Sequence, residues 1–386
     1  MTDALLTGID TLIRRRLDWI RGRKVGLVAH PASVGADGTS SAELLVRENV
    51  QLTALFGPEH GFAGRGGAGE WIGNEIHPEF RIPIHSLYGE TRKPTAEMLS
   101  AVDVLIFDLQ DLGARPYTFV STLRYVLEAA AELGKAVIVT DRPSPLAATV
   151  DGPMLDPAFE SFVGCVRTPV VYGMTPGEAA QWLKNDLRLR LDLRTALMEN
   201  YHREAQRPAG WPAWIPPSPA IRSWECGLCF PITVFFEALP AYDHGRGTAT
   251  PFQLLGAPEL DAGTLIDILA VADLPGIRFT PEPYVAGSGA HQGHALKGIR
   301  ITVTDPSLFK PVRTGVALVA ALQELDGPEK LWGFPGARPD FFDKLMGTDT
   351  VRKNLQAGRT VSDIVRTWQE PCCAFCQGRS ACLLYS

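Results

Sequence analysis

In the stretch LFGPEHGFAG an apolar run ends at Gly57-Pro58, and a carboxylate and an imidazole follow at once, Glu59 and His60. A Gly-Pro corner that presents a partly desolvated Glu suits general acid/base chemistry, because desolvation raises a carboxyl pKa toward the working range. His60 is then a neighbour or a donor to substrate. In Asp108-Leu109-Gln110-Asp111, alternate side chains of an extended chain share a face. Asp108 and Gln110 are therefore expected to act together, with Asp111 in the following turn. Arg115 and Tyr117 come next, then Asp141-Arg142, Glu178 in a Thr-Pro-Gly-Glu capping box, Glu237 behind PITVFF, and Arg246 in a Gly-Arg-Gly turn. Asp, Gln and Arg hydrogen-bond sugar hydroxyls well. Arg also takes anions bidentately. A carboxylate-rich cleft of this kind suits either hydroxyl recognition or a hard divalent cation.

Three other patterns are weaker. Gly64-Arg-Gly66-Gly-Ala-Gly69 matches G-x-G-x-x-G literally, but no strand abuts it and EWIGNEIHPEF is a poor helix start, so a nucleotide loop is not expected. His291 and His294 lack a third metal ligand. Cys226-x-x-Cys229 and Cys373-x-x-Cys376 lie far apart and read as free thiols in a reducing compartment. No metal and no cofactor are expected.

The positioning elements follow from short apolar runs with little alternation, the mark of strands buried on both faces. They are 24–30, 51–57, 102–108, 135–141 and 169–173. Helices are expected over 41–48, 95–101 and 121–134, and in AAQWLKNDL after Thr175. Such alternation predicts an α/β fold with a doubly wound parallel sheet. The polar clusters trail the strands, and in an open parallel sheet the ligand crevice lies at the strands' carboxyl ends. One cleft should therefore gather Glu59, His60, Asp108, Gln110, Asp111, Arg115, Asp141 and Arg142. The Trp- and Pro-rich end of 198–219 is expected to cross the cleft mouth. The character of the chain changes after Gly245-Arg-Gly-Thr248, so a division is expected at 1–245 and 246–386, the second unit carrying strand 298–305 and helix 312–325.

With 45% hydrophobic residues and a net charge of −6, the chain can bury a full core and is a poor partner for nucleic acid. No apolar run suits a bilayer. The amphipathic N-terminal stretch lacks the apolar core of a signal peptide, so a cytoplasmic protein is expected. A homodimer is left open.

The motifs LFGPEHGFAG, IPIHSLYGETRKPT, VDVLIFDLQDLGARPYTFVSTL, TDRPSP, YGMTPGEAA, WIPPSP, GRGTATPFQLLGAP and FDKLMGTD span nearly the whole chain. It resembles the NamZ-type exo-β-N-acetylmuramidases, glycoside hydrolases of peptidoglycan recycling. The resemblance implies a Rossmann-like catalytic domain over 1–245 and a smaller C-terminal α/β domain over 246–386, with the active cleft between them and a small carbohydrate as partner. It also implies hydrolysis of a β-glycosidic bond that releases N-acetylmuramic acid from non-reducing ends, with Glu59 as catalytic acid. Glu178, Asp108 and Glu237 are the contenders for a second carboxylate. Arg115 or Arg246 would take the lactyl carboxylate. Tyr172, Ser144 and Ala220 replace the family's usual His, Asn and Asn, which leaves room for a re-specialised or non-catalytic glycan-binding protein.

Overall fold

The strand β1 (Lys24–Ala29) shows why a parallel sheet forms. Val25, Leu27 and Ala29 enter one apolar core and Val28 the opposite one. The same split recurs in β5 (Val104–Asp108), where Val104 and Ile106 oppose Leu105 and Phe107, and in β6 (Ala136–Thr140), where Ala136 and Ile138 oppose Val137 and Val139. A strand with both faces buried needs helices above and below. One face is covered by α1 (Gly8–Arg15) and α2 (Ser41–Arg47), the other by α3 (Phe119–Glu132) and α4 (Pro176–Asp186). This computed structural model describes residues 4–67, 69–203, 207, 211 and 214–386.

The sheet is completed by β2 (Gln51–Gly57), β3 (Glu75–Ile76), β4 (Pro83–Ser86) and β9 (Leu193–Ala196), in the order β3-β4-β2-β1-β5-β6-β9. All pairs are parallel except β3 with β4. Strand order reverses at β1, so the crevice rule points to the carboxyl edge around it. Residues 169–173 depart from expectation. They form β8 (Pro169–Tyr172), which pairs antiparallel with β7 (Val150–Met154) in a separate two-stranded ribbon. Residues 95–101, expected helical, are turns.

The C-terminal part carries an antiparallel sheet of β10 (Leu254–Ala257), β11 (Ile277–Pro281), β12 (Tyr284–Val285) and β13 (Ala295–Val303). Around it lie α5 (Trp224–Thr233), α6 (Ala262–Ala270), α7 (Pro311–Asp326), α8 (Pro328–Trp332), α9 (Pro339–Met346), α10 (Thr350–Gln356) and α11 (Val361–Arg379). One core cluster runs from Phe107 in the first sheet through Phe235 and Phe252 to Leu345. Among the described residues no helix is long and apolar enough to cross a membrane, and no group of three or more His, Cys, Asp or Glu residues is arranged to hold a metal.

Candidate active site

The corner after β2 is tight. A Cβ at Gly57 would come within 2.4 Å of the Phe62 nitrogen, so glycine is required there. His60 adopts φ 73°, a left-handed conformation uncommon outside glycine. Its Nδ1 lies 2.9 Å from the Gly66 carbonyl, which ties the corner to the glycine loop. This geometry turns Glu59 inward. Oε1 accepts from the Gly69 N–H at 3.0 Å and Oε2 from the Thr118 hydroxyl at 2.6 Å. Of the literal G-x-G-x-x-G match, Ala68 lies outside the described residues. The rest is a loop that leads to no helix and whose Gly69 touches the Glu59 carboxylate.

Glu59 faces a cavity of about 470 Å³. Around it stand His60, Tyr88, Tyr117 and Thr118 from the strand ends, and Glu237, Arg246, Arg338 and Lys344 from later in the chain. The cavity is thus walled by both halves of the molecule. Phe119, Phe162, Phe230, Phe252 and Phe341 add aromatic surface. Glu237 lies just after α5 in a 3-10 turn (Val234–Ala238), and its Oε1 is 3.2 Å from an Arg246 nitrogen. Burial pushes the Glu237 carboxyl up. Arg246 works against that, and the nearby Glu59 adds to it. Glu59 and Glu237 are thus two carboxylates lining one cavity. Burial raises the Tyr117 phenol well above its usual range, so it stays a hydrogen-bond donor.

The other expected site residues are not at the cavity, and each has a structural occupation. Asp108 is fully buried in a two-pronged ion pair with Arg142, at 2.6 and 2.9 Å, and accepts from Ser41 as well. Gln110 donates its amide to the Asp111 and Pro143 carbonyls at 3.0 and 2.7 Å. Asp111 accepts from Tyr172 and from the Gly113 N–H, and burial pushes it up to about 6. Arg115 is buried without a carboxylate partner among the described residues. It donates to the carbonyls of Pro153, Thr168 and Met346, and burial lowers it to about 9. A Cβ at Gly347 would collide with its guanidinium at 2.2 Å, so the glycine that ends α9 serves this joint. Asp141 binds Thr175, Gly177 and the Tyr385 hydroxyl at 2.7–2.8 Å. Glu178 completes its capping box at 2.9 Å and holds Arg203 and the Leu384 N–H. Buried charge is tolerated only when paired or hydrogen-bonded, and these groups meet that condition without any ligand.

Tyr88, Arg92, Thr118, Ser218, Arg338 and Lys344 were not anticipated. Five of the six sit inside motifs quoted above or beside them: Tyr88 and Arg92 in IPIHSLYGETRKPT, Thr118 in PYTFVSTL, Ser218 in WIPPSP, Lys344 in FDKLMGTD. Of the three departures from family pattern, Ala220 lines the cavity, Tyr172 bonds Asp111, and Ser144 is buried against Gly113. In the crossing segment, residues 204–206, 208–210 and 212–213 lie outside the described residues, while Ser218, Ala220 and Ile221 line the cavity. His291 binds the Ala241 carbonyl, and the seven cysteines are free.

Comparison with known proteins agrees with this architecture. Residues 25–225 match the N-terminal family model of exo-β-N-acetylmuramidase NamZ, and residues 228–385 match its C-terminal model. A peptidoglycan β-N-acetylmuramidase, NamZ of Bacillus subtilis (strain 168), is 35% identical over 381 residues, 98% of this chain and 91% of that protein. Two crystal structures of DUF1343 family proteins from Bacteroides fragilis superpose with TM-scores of 0.89 and 0.80, at 30% and 25% identity. They cover 99% and 100% of this chain, and 99% of each of those chains is covered. The chain belongs to the NamZ exo-β-N-acetylmuramidase family.

Proposed function

We propose that this protein is an exo-acting β-N-acetylmuramidase that releases N-acetylmuramic acid from the non-reducing ends of peptidoglycan fragments, with Glu59 and Glu237 as its two working carboxylates. The observation that carries the residue assignment is that both line one cavity while Asp108 and Glu178 are committed to buried structural pairs. Glu59 has the partner a proton carrier needs. A hydroxyl such as Thr118's donates to a carboxylate and accepts from a carboxylic acid, so Oε2 keeps its contact in either state. Glu237, set against Arg246, is the member that works ionised, orienting water or the substrate's acetamide. His60 and Tyr117 border the same space and are the donors for sugar hydroxyls.

Seven free thiols fit a reducing, cytoplasmic setting. The test is hydrolysis of a chromogenic β-N-acetylmuramide, beside the matching N-acetylglucosaminide, by wild type and Glu59→Gln. Turnover of the muramide alone, with a loss of about 10²-fold or more in the variant, supports the reading. Binding of the muramide without turnover by wild type would instead mark a glycan-binding protein.

A further inference from the structure

The muramic sugar differs from N-acetylglucosamine by a lactyl ether that carries a carboxylate, so an enzyme selective for it needs a cation with a free hydrogen-bonding edge. Four cationic side chains line the cavity, and three have prior engagements. Arg246 is ion-paired with Glu237 at 3.2 Å. Arg338 donates an N–H to the Glu237 carbonyl at 2.9 Å. Lys344 faces Asp340 at 4.0 Å, one helical turn away. Arg115, the other sequence candidate, is sealed on backbone carbonyls away from the cavity.

Arg92 is different. Its guanidinium lies over Phe162, 4.2 Å from the ring centre, and over Tyr88 at 5.2 Å. Among the described residues it has no carboxylate partner. Stacking holds a guanidinium flat by its faces and leaves the in-plane N–H groups free. Those N–H groups form the fork that matches a carboxylate. The position is also right, because Arg92, Tyr88 and Glu59 line the same cavity. Tyr88, one of the two rings under Arg92, shares that lining with Glu59.

We propose that Arg92, shelved on Phe162 and Tyr88, receives the lactyl carboxylate and so sets the preference for muramic over glucosamine substrates. The assignment rests on the function proposed above. Arg92 is a specificity residue and takes no part in proton transfer.

The experiment compares two β-N-acetylmuramides, one with the free lactyl carboxylate and one with it methyl-esterified, on wild type, Arg92→Met and Arg92→Lys. Arg92→Met should lower kcat/KM on the acid by about 10- to 100-fold, the scale of a charged hydrogen-bonded contact. On the ester it should change less than about 3-fold, because the carboxylate's charge is gone there. Arg92→Lys should fall between. Equal losses on acid and ester, or no loss on either, would overturn the assignment. Acid-selective loss in Lys344→Met or Arg338→Met, with none in Arg92→Met, would move the role to those residues. Should wild type hydrolyse neither compound, the proposed function fails by itself. Calorimetric binding of N-acetylmuramic acid and its lactyl methyl ester then decides Arg92 by the same ratio.

Discussion

The Thr118 hydroxyl sits 2.6 Å from Oε2 of Glu59, and the Gly69 N–H holds Oε1 at 3.0 Å. Thr118 stands at the start of α3 behind β5, and Gly69 lies in the loop after β2. The carboxyl ends of β2 and β5, which flank β1 in the sheet, therefore fix one carboxylate. Glu59→Gln keeps the shape and removes the proton. It should lower kcat by about 10²- to 10⁴-fold with a melting temperature close to wild type. Thr118→Val should lose less, about 10-fold, the scale of one hydrogen bond. Steady-state kinetics beside thermal melts check both. Wild-type kcat in Glu59→Gln would remove Glu59 from the chemistry.

Glu237 should write the acid limb of the pH–rate profile. Burial lifts its carboxyl above the ordinary Glu range and Arg246 opposes the lift. If the ionised form is the working one, activity falls as pH drops through that raised value. Arg246→Gln removes the opposing charge, so the limb should move to higher pH. A kcat/KM profile measured on both proteins decides this, and a limb unmoved by Arg246→Gln would detach it from Glu237.

Asp108 and Arg142 should matter for folding and not for chemistry. Their pair is wholly buried, at 2.6 Å. Removing one charge strands the other, at a cost of about 3–5 kcal/mol. Asp108→Asn is therefore expected to unfold at markedly lower denaturant while the folded fraction keeps its kcat. A stable Asp108→Asn with kcat reduced as far as in Glu59→Gln would restore Asp108 as a catalytic candidate.

Asp111 imposes a pH dependence on stability. Burial pushes its folded pKa to about 6 from an ordinary 3.8. The folded state thus keeps a proton that the unfolded chain gives up. Its stabilising contribution is complete below the unfolded value and is lost as pH rises through about 6. Asp111→Asn, which cannot ionise, should flatten the decline in melting temperature between about pH 4 and 7. Asp141, also pushed up to about 6, remains to sustain part of it. An unchanged slope would mean that Asp111 is not the group responsible.

Much of the N-terminal sheet was legible from local pattern. β1, β2, β5 and β6 fall on apolar runs that a strand buried on both faces requires. The caps of α4 and the turn at Gly57 were equally plain, since both are set by residues within a few positions of one another. The short β9 was missed. β8 was found but given to the wrong sheet, because pairing partners are distant in sequence and leave no periodic trace.

By itself the sequence determined the alternation of strand and helix, the family, and the Glu59 corner, because backbone preference, burial period and motif identity are properties of neighbouring residues. Only the tertiary structure decided which polar residues serve the cavity. Asp108, Asp111, Asp141, Arg142 and Glu178 also trail their strands or open a helix. But charge buried that deeply must be paired, and their partners (Ser41, Tyr172, Tyr385 and Arg203 among them) come from far along the chain. Glu237, Arg246 and Arg92 stayed at the surface of the cavity because no buried partner claimed all their hydrogen-bonding capacity. That difference lies in long-range packing, which residue type and local spacing do not encode.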